Sequence, residues 1–298
     1  MNTVIVKAPA KINLALDITG KREDGYHLMN MLMQTVDLYD TLTLTKAQFI
    51  ALTCDRKGVP EDDKNLAWRA AELFFSKMGM GEDVGVEIDI NKVIPMQAGL
   101  AGGSADAAGV LCGLNELYET HLSTEELCEM GLTLGADVPF CILGATAKAE
   151  GVGEILSPVA NMPDCSIVIA KPTASISTAE SFKLFDAVTA SRHPDVDGVI
   201  SAIENSNLAD MAKGMYNVLE EITTVDSVSK IKADMMAHGA IHSMMTGSGS
   251  AVFGIFDNRA NAKKCLKSLM GCSESVFLSK PVNHGPVVFT EVEHCIVK

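Results

Sequence analysis

Three groups of residues in this chain have types and spacings suited to handling a phosphorylated ligand. The first is the run Pro95, Met96, Gln97, Ala98, Gly99, Leu100, Ala101, Gly102, Gly103, Ser104 and Ala105, which leads into Asp106, Ala107 and Ala108. A loop this poor in side chains, placed where a helix begins, exposes backbone N–H groups that join the helix dipole in favouring an anion. Gly99, Gly102 and Gly103 would let a phosphate reach the main chain, although glycines also serve simply to pack a helix closely on a strand. The preceding Pro95 and the Ser at the helix start favour phosphate. Ser104 is expected to act as helix N-cap, or to offer its hydroxyl to phosphate-bound Mg²⁺. Neither a P-loop Lys-Ser/Thr pair nor G-x-G-x-x-G spacing is present.

The second group is Lys11, Asn13 and Asp137. In residues 11–18 the apolar Ile12, Leu14, Leu16 and Ile18 alternate with Lys11, Asn13 and Asp17, which predicts a strand with its polar side chains on one face. Asp137 interrupts the apolar stretch Leu134 to Leu143, where an aspartate is costly to bury without a partner. The plainer roles are a solvated strand lysine and a turn or helix-cap aspartate. Together a lysine and a carboxylate supply what phosphoryl transfer needs, a cation for developing charge and an acceptor for the hydroxyl proton.

The third group is aromatic. Tyr26 and His27 follow the Gly20 to Gly25 turn, where a ring can stack on a base and an imidazole can bond its edge; the alternative is loop packing. Phe182, in a helical segment, is either a second stacking face or a core residue. Thr246 to Ser250, with Gly247 and Gly249 allowing a tight approach, either closes a site or forms an ordinary β-turn.

Patterning outlines the elements that must position these groups. Strands are expected at 4–18, 41–45, 84–90, 166–170, 251–256 and 287–292. Helices are expected at 65–78, from the glycine-rich loop to about Tyr118, after a Ser123/Glu126 capping box, and at 177–186, 208–220 and 228–238. Strands and helices mixed without regular βαβ repetition suggest an α+β architecture, and 298 residues at 47% apolar suffice for two domains. A boundary near 155 divides the chain into 1–155 and 156–298.

Composition removes other classes. A net charge of −14 opposes attraction to nucleic-acid backbones, so an anionic ligand must be held by local dipoles and a few lysines. Lys7, Lys92, Lys148 and Lys171 stay unassigned. No apolar run reaches the ~20 residues of a membrane helix. No secretory signal pattern opens the chain. Eight scattered cysteines without C-x-x-C pairing favour reduced thiols in the cytoplasm. Sixteen methionines form no stripe that suggests a metal or redox role.

Three segments in order, Pro9-Ala-Lys-Ile-Asn-Leu14, the Pro95–Ala108 run and Met245-Thr-Gly-Ser-Gly-Ser-Ala-Val-Phe-Gly254, resemble the motifs of the GHMP kinase superfamily. Gly20-Lys-Arg-Glu-Asp-Gly-Tyr-His27, Asn65-Leu66, Leu134-Gly-Ala-Asp-Val-Pro-Phe140 and Gly151-Val-Gly-Glu154 are similar to its branch acting on a diphosphocytidyl-linked methylerythritol in non-mevalonate isoprenoid synthesis. The resemblance implies a ribosomal-protein-S5-like N-terminal domain and a ferredoxin-like C-terminal domain, with the active site between them and the last strand returning to the first domain. It implies catalytic roles for Lys11 and Asp137, and ATP binding by Asn65 and the run Pro95 to Ala105. Asn13, Tyr26, His27, Phe182, Thr246 and Gly247 would bind substrate. It further implies ATP, Mg²⁺ carried by the nucleotide rather than by a dedicated protein site, and a small-molecule substrate, in a monomer or homodimer. Other superfamily alcohols, or binding without catalysis, are the rival readings. One departure stands out: the usual Gly-Leu-Gly-Gly-Gly-Ser reads Gly99-Leu-Ala-Gly-Gly-Ser104; phosphate binding should survive if Ala101 has an ordinary φ, whereas a need for positive φ there would count against nucleotide affinity.

Overall fold

A computed structural model describes residues 1–188 and 190–290. β1 (Thr3–Lys21) and β2 (His27–Ala47) form a long antiparallel hairpin, followed by β3 (Ala51–Cys54), α1 (Leu66–Met78), β4 (Gly85–Asn91) and α2 (Gly102–Leu117). Next come α3 (Thr124–Leu132), α4 (Val138–Leu143), β5 (Thr146–Gly151) and β6 (Ile155–Pro158). The second half runs β7 (Ser166–Lys171), α5 (Thr178–Phe185), α6 (Val196–Glu204), α7 (Leu208–Gly214), β8 (Tyr216–Asn217) and a 3₁₀ turn, Val218–Glu220. It continues with α8 (Asp226–Ala237), β9 (His242–Met245), β10 (Val252–Phe256), α9 (Arg259–Leu269), β11 (Ser275–Ser279) and β12 (Val287–Thr290).

Two sheets organise these elements. The larger has the path β12-β1-β2-β4-β3, with β5 and β6 continuing from the far half of β2 and β8 beside β1; the smaller is antiparallel, in the order β11-β7-β10-β9. This is an α+β, two-domain arrangement. β12 pairs with β1 from Val4↔Thr290 to Lys7↔Val287, so residues distant in sequence complete the first sheet. The expected strand residues 291 and 292, and Cys295, lie outside the described residues.

α2 packs on β1 and β2 unusually closely because it presents glycines. A Cβ at Gly109 would lie 3.1 Å from Leu42 Cδ1, and one at Gly113 would lie 2.4 Å from Leu44 Cδ1 and 2.8 Å from Val6 Cγ2. Residues i and i+4 share a helix face, so the pair forms a flat seat that brings the helix start against the sheet. The glycine-rich loop is held where α2 begins.

Local expectations hold at several points. Ser123 and Glu126 form the reciprocal capping box, and Asn65 caps α1 by accepting from Ala67 N at 2.9 Å. Others need correction. Residues 208–220 do not form one helix: α7 ends at Gly214, and Asn217 pairs in β8 before capping the 3₁₀ turn through Leu219 N at 3.0 Å. α6 and α9 were missed. The first strand does not keep one phase, because a bulge interrupts its register between Asn13 and Ala15. Ile12 and Leu14 join the core that contains α2, whereas Leu16 and Ile18 join a second core with Met33 and Val218. Asp17 is thereby separated from Lys11 and accepts from His193 Nδ1 at 2.7 Å.

Among the described residues no helix is long and apolar enough to cross a membrane. Their seven cysteines are unpaired, and burial pushes the thiols of Cys112 and Cys165 up to about 12.

Candidate active site

A cleft of about 1120 Å³ is walled by both halves of the chain: β1, the glycine-rich loop and the start of α2 on one side, α5 and Gly247–Ser248 on the other. Lys11, Asn13, Tyr26, His27, Asn65, Pro95 to Ser104, Asp137, Phe182 and Gly247 all line it. Ala105 and Thr246, also expected in the site, are fully buried behind the wall. The volume lies just above the range of a typical small-molecule pocket.

The glycine-rich loop gains its shape from alternating left-handed residues, Gln97 at φ 50°, Gly99 at φ 74° and Ala101 at φ 56°. Ala101 therefore takes the positive-φ alternative, the backbone region that its methyl disfavours, at a cost of about 1 kcal/mol; the cost falls on a loop already held in this shape, which still turns the first N–H groups of α2 toward the cleft. Ala101 is also the N-cap of α2, without any side-chain bond to the first turn. That corrects the expectation for Ser104: the helix starts at Gly102, so Ser104 lies inside the first turn and its hydroxyl does not cap. The opening N–H groups of α2 stay available at the cleft.

The glycines divide the work that the sequence left open. A Cβ at Gly99 would collide with Thr246 O at 2.1 Å, and one at Gly102 would meet Ile94 Cγ2 at 3.0 Å. Both are needed for contact of protein with protein. Only at Gly103, exposed and 3.7 Å from its nearest neighbour, is the space open toward a ligand.

Lys11 and Asn13 reach the cleft from the strand that the loop touches, Lys11 N donating to Leu100 O at 3.2 Å. Lys11 Nζ donates to Asn13 Oδ1 at 2.9 Å and lies 3.7 Å from Asp137 Oδ2. Asn13 N donates to Thr246 Oγ1 at 3.0 Å, so Thr246 supports Asn13 from behind. Asp137 precedes α4 yet makes no capping bond. Its side chain is 37% exposed, so the cleft, not burial, defines its surroundings. A buried cation with one close, neutral acceptor thus faces a carboxylate that solvent and ligand can reach.

At the other end of the cleft, His27 and Phe182 stack with centroids 4.8 Å apart and planes inclined by 17°. Tyr26 stands beside them, 65% exposed. Phe182 thus lines the cleft while also packing against the second core. His27 Nε2 bonds Asp186 Oδ1 at 2.8 Å, and Lys21 Nζ donates to Asp186 Oδ2 at 2.6 Å. These contacts, Lys21 first, hold the Asp186 carboxyl below its usual range.

Three features were missed in the sequence. Asp186 and Lys21 sit in ordinary charged contexts that give no signal. Asn217 donates to Met245 O at 2.9 Å and Gly247 O at 2.8 Å, fixing the 246–250 turn from a distant element. Lys92, Asp40 and Asp106 form a buried cluster next to the loop. Two of the other unassigned lysines are also engaged. Lys148 pairs with Asp197 at 3.1 Å, and buried Lys171 holds Pro172 O, Ser175 Oγ and Glu274.

A two-domain α+β fold with a phosphate-ready loop facing a Lys–Asp pair defines a class, and family comparison agrees. Residues 65–145 match the GHMP kinases N terminal domain and residues 199–271 the GHMP kinases C terminal. The chain is 43% identical to the 4-diphosphocytidyl-2-C-methyl-D-erythritol kinase of Clostridium botulinum (strain Kyoto / Type A2), over 94% of this chain and 100% of that one. The Clostridium beijerinckii (strain ATCC 51743 / NCIMB 8052) enzyme of the same name is also 43% identical, over 93% and 99%. A crystal structure of 4-(cytidine 5'-diphospho)-2C-methyl-D-erythritol kinase superposes with TM-score 0.79 at 32% identity, covering 94% of this chain and 100% of that one. Homoserine kinase from Cytophaga hutchinsonii shares the fold at TM-score 0.77 and 16% identity, covering 97% and 98%. This chain belongs to the 4-diphosphocytidyl-2-C-methyl-D-erythritol kinase family of the GHMP kinases. It is a small-molecule kinase.

Proposed function

We propose that the chain transfers the γ-phosphoryl group of ATP to the 2-hydroxyl of 4-diphosphocytidyl-2-C-methyl-D-erythritol, giving ADP and the 2-phosphate in non-mevalonate isoprenoid synthesis. The observation that carries this reading is the Lys11–Asp137 pair at 3.7 Å, in one cleft with the glycine-rich loop and the aromatic corner. ATP phosphates lie against the N–H groups at the start of α2, with Asn65 and the run Pro95 to Ser104 forming the nucleotide side and Ala105 backing it. The cytosine stacks near Tyr26 and Phe182, with His27 at its edge. Asn13 and Gly247 contact the methylerythritol portion, and Thr246 fixes Asn13.

Asp137 receives the hydrogen bond of the acceptor hydroxyl, aims its oxygen at the γ-phosphorus and takes up the hydroxyl proton as the O–H bond breaks. Lys11 stabilises the negative charge that develops as the new O–P bond forms and the bond to ADP breaks. Mg²⁺, if carried by the nucleotide, would supply charge neutralisation at the phosphates. Ser104, at the cleft surface, suits a single oxygen ligand; the neighbouring carboxylates Asp106 and Asp137 are engaged with Lys92 and Lys11. The enzyme works in the cytoplasm as a monomer or homodimer, without a nucleic-acid partner.

Coupled ADP production with Mg·ATP and this substrate tests the reading. Turnover that depends on substrate and disappears in Asp137→Asn and Lys11→Ala is expected. Well-folded protein that binds ATP but leaves this alcohol unphosphorylated would overturn the substrate assignment.

A further inference from the structure

The glycine-rich loop has its two ends tied to one buried ion cluster. On the entry side, Val93 N and Ile94 N, immediately before Pro95, donate to Asp40 Oδ1 at 2.7 and 2.8 Å. On the exit side, the first residue of α2 offers Gly102 O to Lys92 Nζ at 3.1 Å, and Asp106, one turn further, pairs with the same ammonium. Lys92 Nζ also reaches Asp40 Oδ2 at 2.5 Å, which closes the circuit from β2 through the end of β4 to α2. Asp55 adds an outer tie, accepting from Lys92 N at 2.8 Å and Asn91 Nδ2 at 3.0 Å.

An ammonium has three protons, and Asp40, Asp106 and Gly102 O use all three. Lys92 lines the cleft yet has no donor left for a phosphate, so a direct phosphate-binding role does not fit it. The contact leaves little slack, since a Cβ on Gly102 would stand 3.2 Å from Lys92 Nζ. All three side chains are at least nine-tenths buried. Buried ion clusters are seldom the most stabilising solution, and similar volume filled with apolar groups often serves as well. What this cluster supplies is a fixed distance between two chain ends. Asp106 Oδ1 moreover has no hydrogen-bond partner; burial raises the Asp106 carboxyl well above its usual range despite the opposing pull of Lys92.

We propose that Asp40, Lys92 and Asp106 are positioning residues for the phosphoryl donor: they clamp the entry and exit of the glycine-rich loop so that its free N–H groups keep the spacing a phosphate requires. The inference rests on reading that loop as the ATP cradle. It predicts a defect confined to ATP, because the clamp touches neither the aromatic corner nor Asp137.

The test compares wild type with Asp106→Leu, its conservative counterpart Asp106→Asn, and the neutral triple variant Asp40→Asn/Lys92→Met/Asp106→Leu. KM is measured for each substrate at saturation of the other, and ATP affinity is measured by calorimetry without turnover. In Asp106→Leu the KM and Kd for ATP should rise about tenfold, the scale of one lost charge-assisted contact, while the KM for the acceptor alcohol stays put. Asp106→Asn, which keeps an acceptor for Lys92, should recover most of the loss. The triple variant, free of unpaired buried charge, should fold and still bind ATP weakly. Normal ATP affinity in any folded variant lacking the clamp would overturn the proposal. So would parallel loss of both KM values, or failure of all three variants to fold by circular dichroism, since the cluster would then hold the domain and not the loop. Failure of wild type to form ADP would refute the proposed reaction instead, and calorimetry would still decide the clamp.

Discussion

Lys11 and Lys92 face the same cleft from the same domain, both buried, and their surroundings assign them opposite work. Lys92 meets two carboxylates and a carbonyl, all within hydrogen-bonding distance. Lys11 meets a neutral amide at 2.9 Å and a carboxylate only at 3.7 Å. A cation already matched by close anions gains little from an arriving phosphate. One held by a neutral acceptor and a looser carboxylate keeps much of its attraction in reserve. Proximity to a ligand site alone does not distinguish them; the tightness of the counter-charges does.

The comparison breaks most sharply at Lys11. Lys11→Ala and Asp137→Asn should each lower kcat by about 10³-fold, the scale of losing a group that stabilises transition-state charge or accepts a proton, while urea midpoints move little. Equal losses of stability and turnover would erase the distinction between the lysines. Lys92→Met should do the reverse as its primary effect, lowering unfolding free energy by about 3–5 kcal/mol because Asp40 and Asp106 remain buried without a cation; urea denaturation measures it.

His242 sharpens the contrast from the other direction, as a half-buried base whose charged neighbours, Lys232 and Arg192, are both cations. Burial first, then these charges, push it down to about 4. The unfolded chain takes up this proton below about pH 6.5, while the folded protein resists it until about 4. The resulting stability is complete above 6.5 and falls as pH drops toward 4, by roughly 2–3 kcal/mol. His242→Gln should flatten that part of a stability-against-pH curve; an unchanged slope would reject the assignment. The smallest effect is expected at Ala101, where Ala101→Gly should remove left-handed strain and raise stability by about 1 kcal/mol, read from the same urea curves.

Much of the site was legible because its motifs are local. Lys11 and Asn13 sit two apart, Tyr26 and His27 adjoin a turn, and the glycine-rich loop is continuous. The cleft collects these groups as expected, although their individual roles remain the subject of the variants above. Features that depend on distant pairing were not legible. Strict alternation put Asp17 on the face of Lys11, and only pairing with β2 reveals the bulge that separates them. The Leu208 to Glu220 segment looked helical throughout, yet β1 recruits Tyr216 and Asn217 into the sheet. Gly99 looked like room for phosphate until the fold brought Thr246 O beside it. The Asp40–Lys92–Asp106 cluster joins three elements whose separate sequences contain nothing unusual.

The pairing of β12 with β1 also has a consequence for the timing of synthesis. Thr290, the partner of Val4, is made 286 residues after it. Until then the outer edge of the strand that bears Lys11 offers unpaired backbone groups over Val4–Lys7, an invitation to strands of other chains. The nascent protein must therefore carry the strand that bears Lys11 with one border open while those residues are added, and that border closes only when β12 emerges.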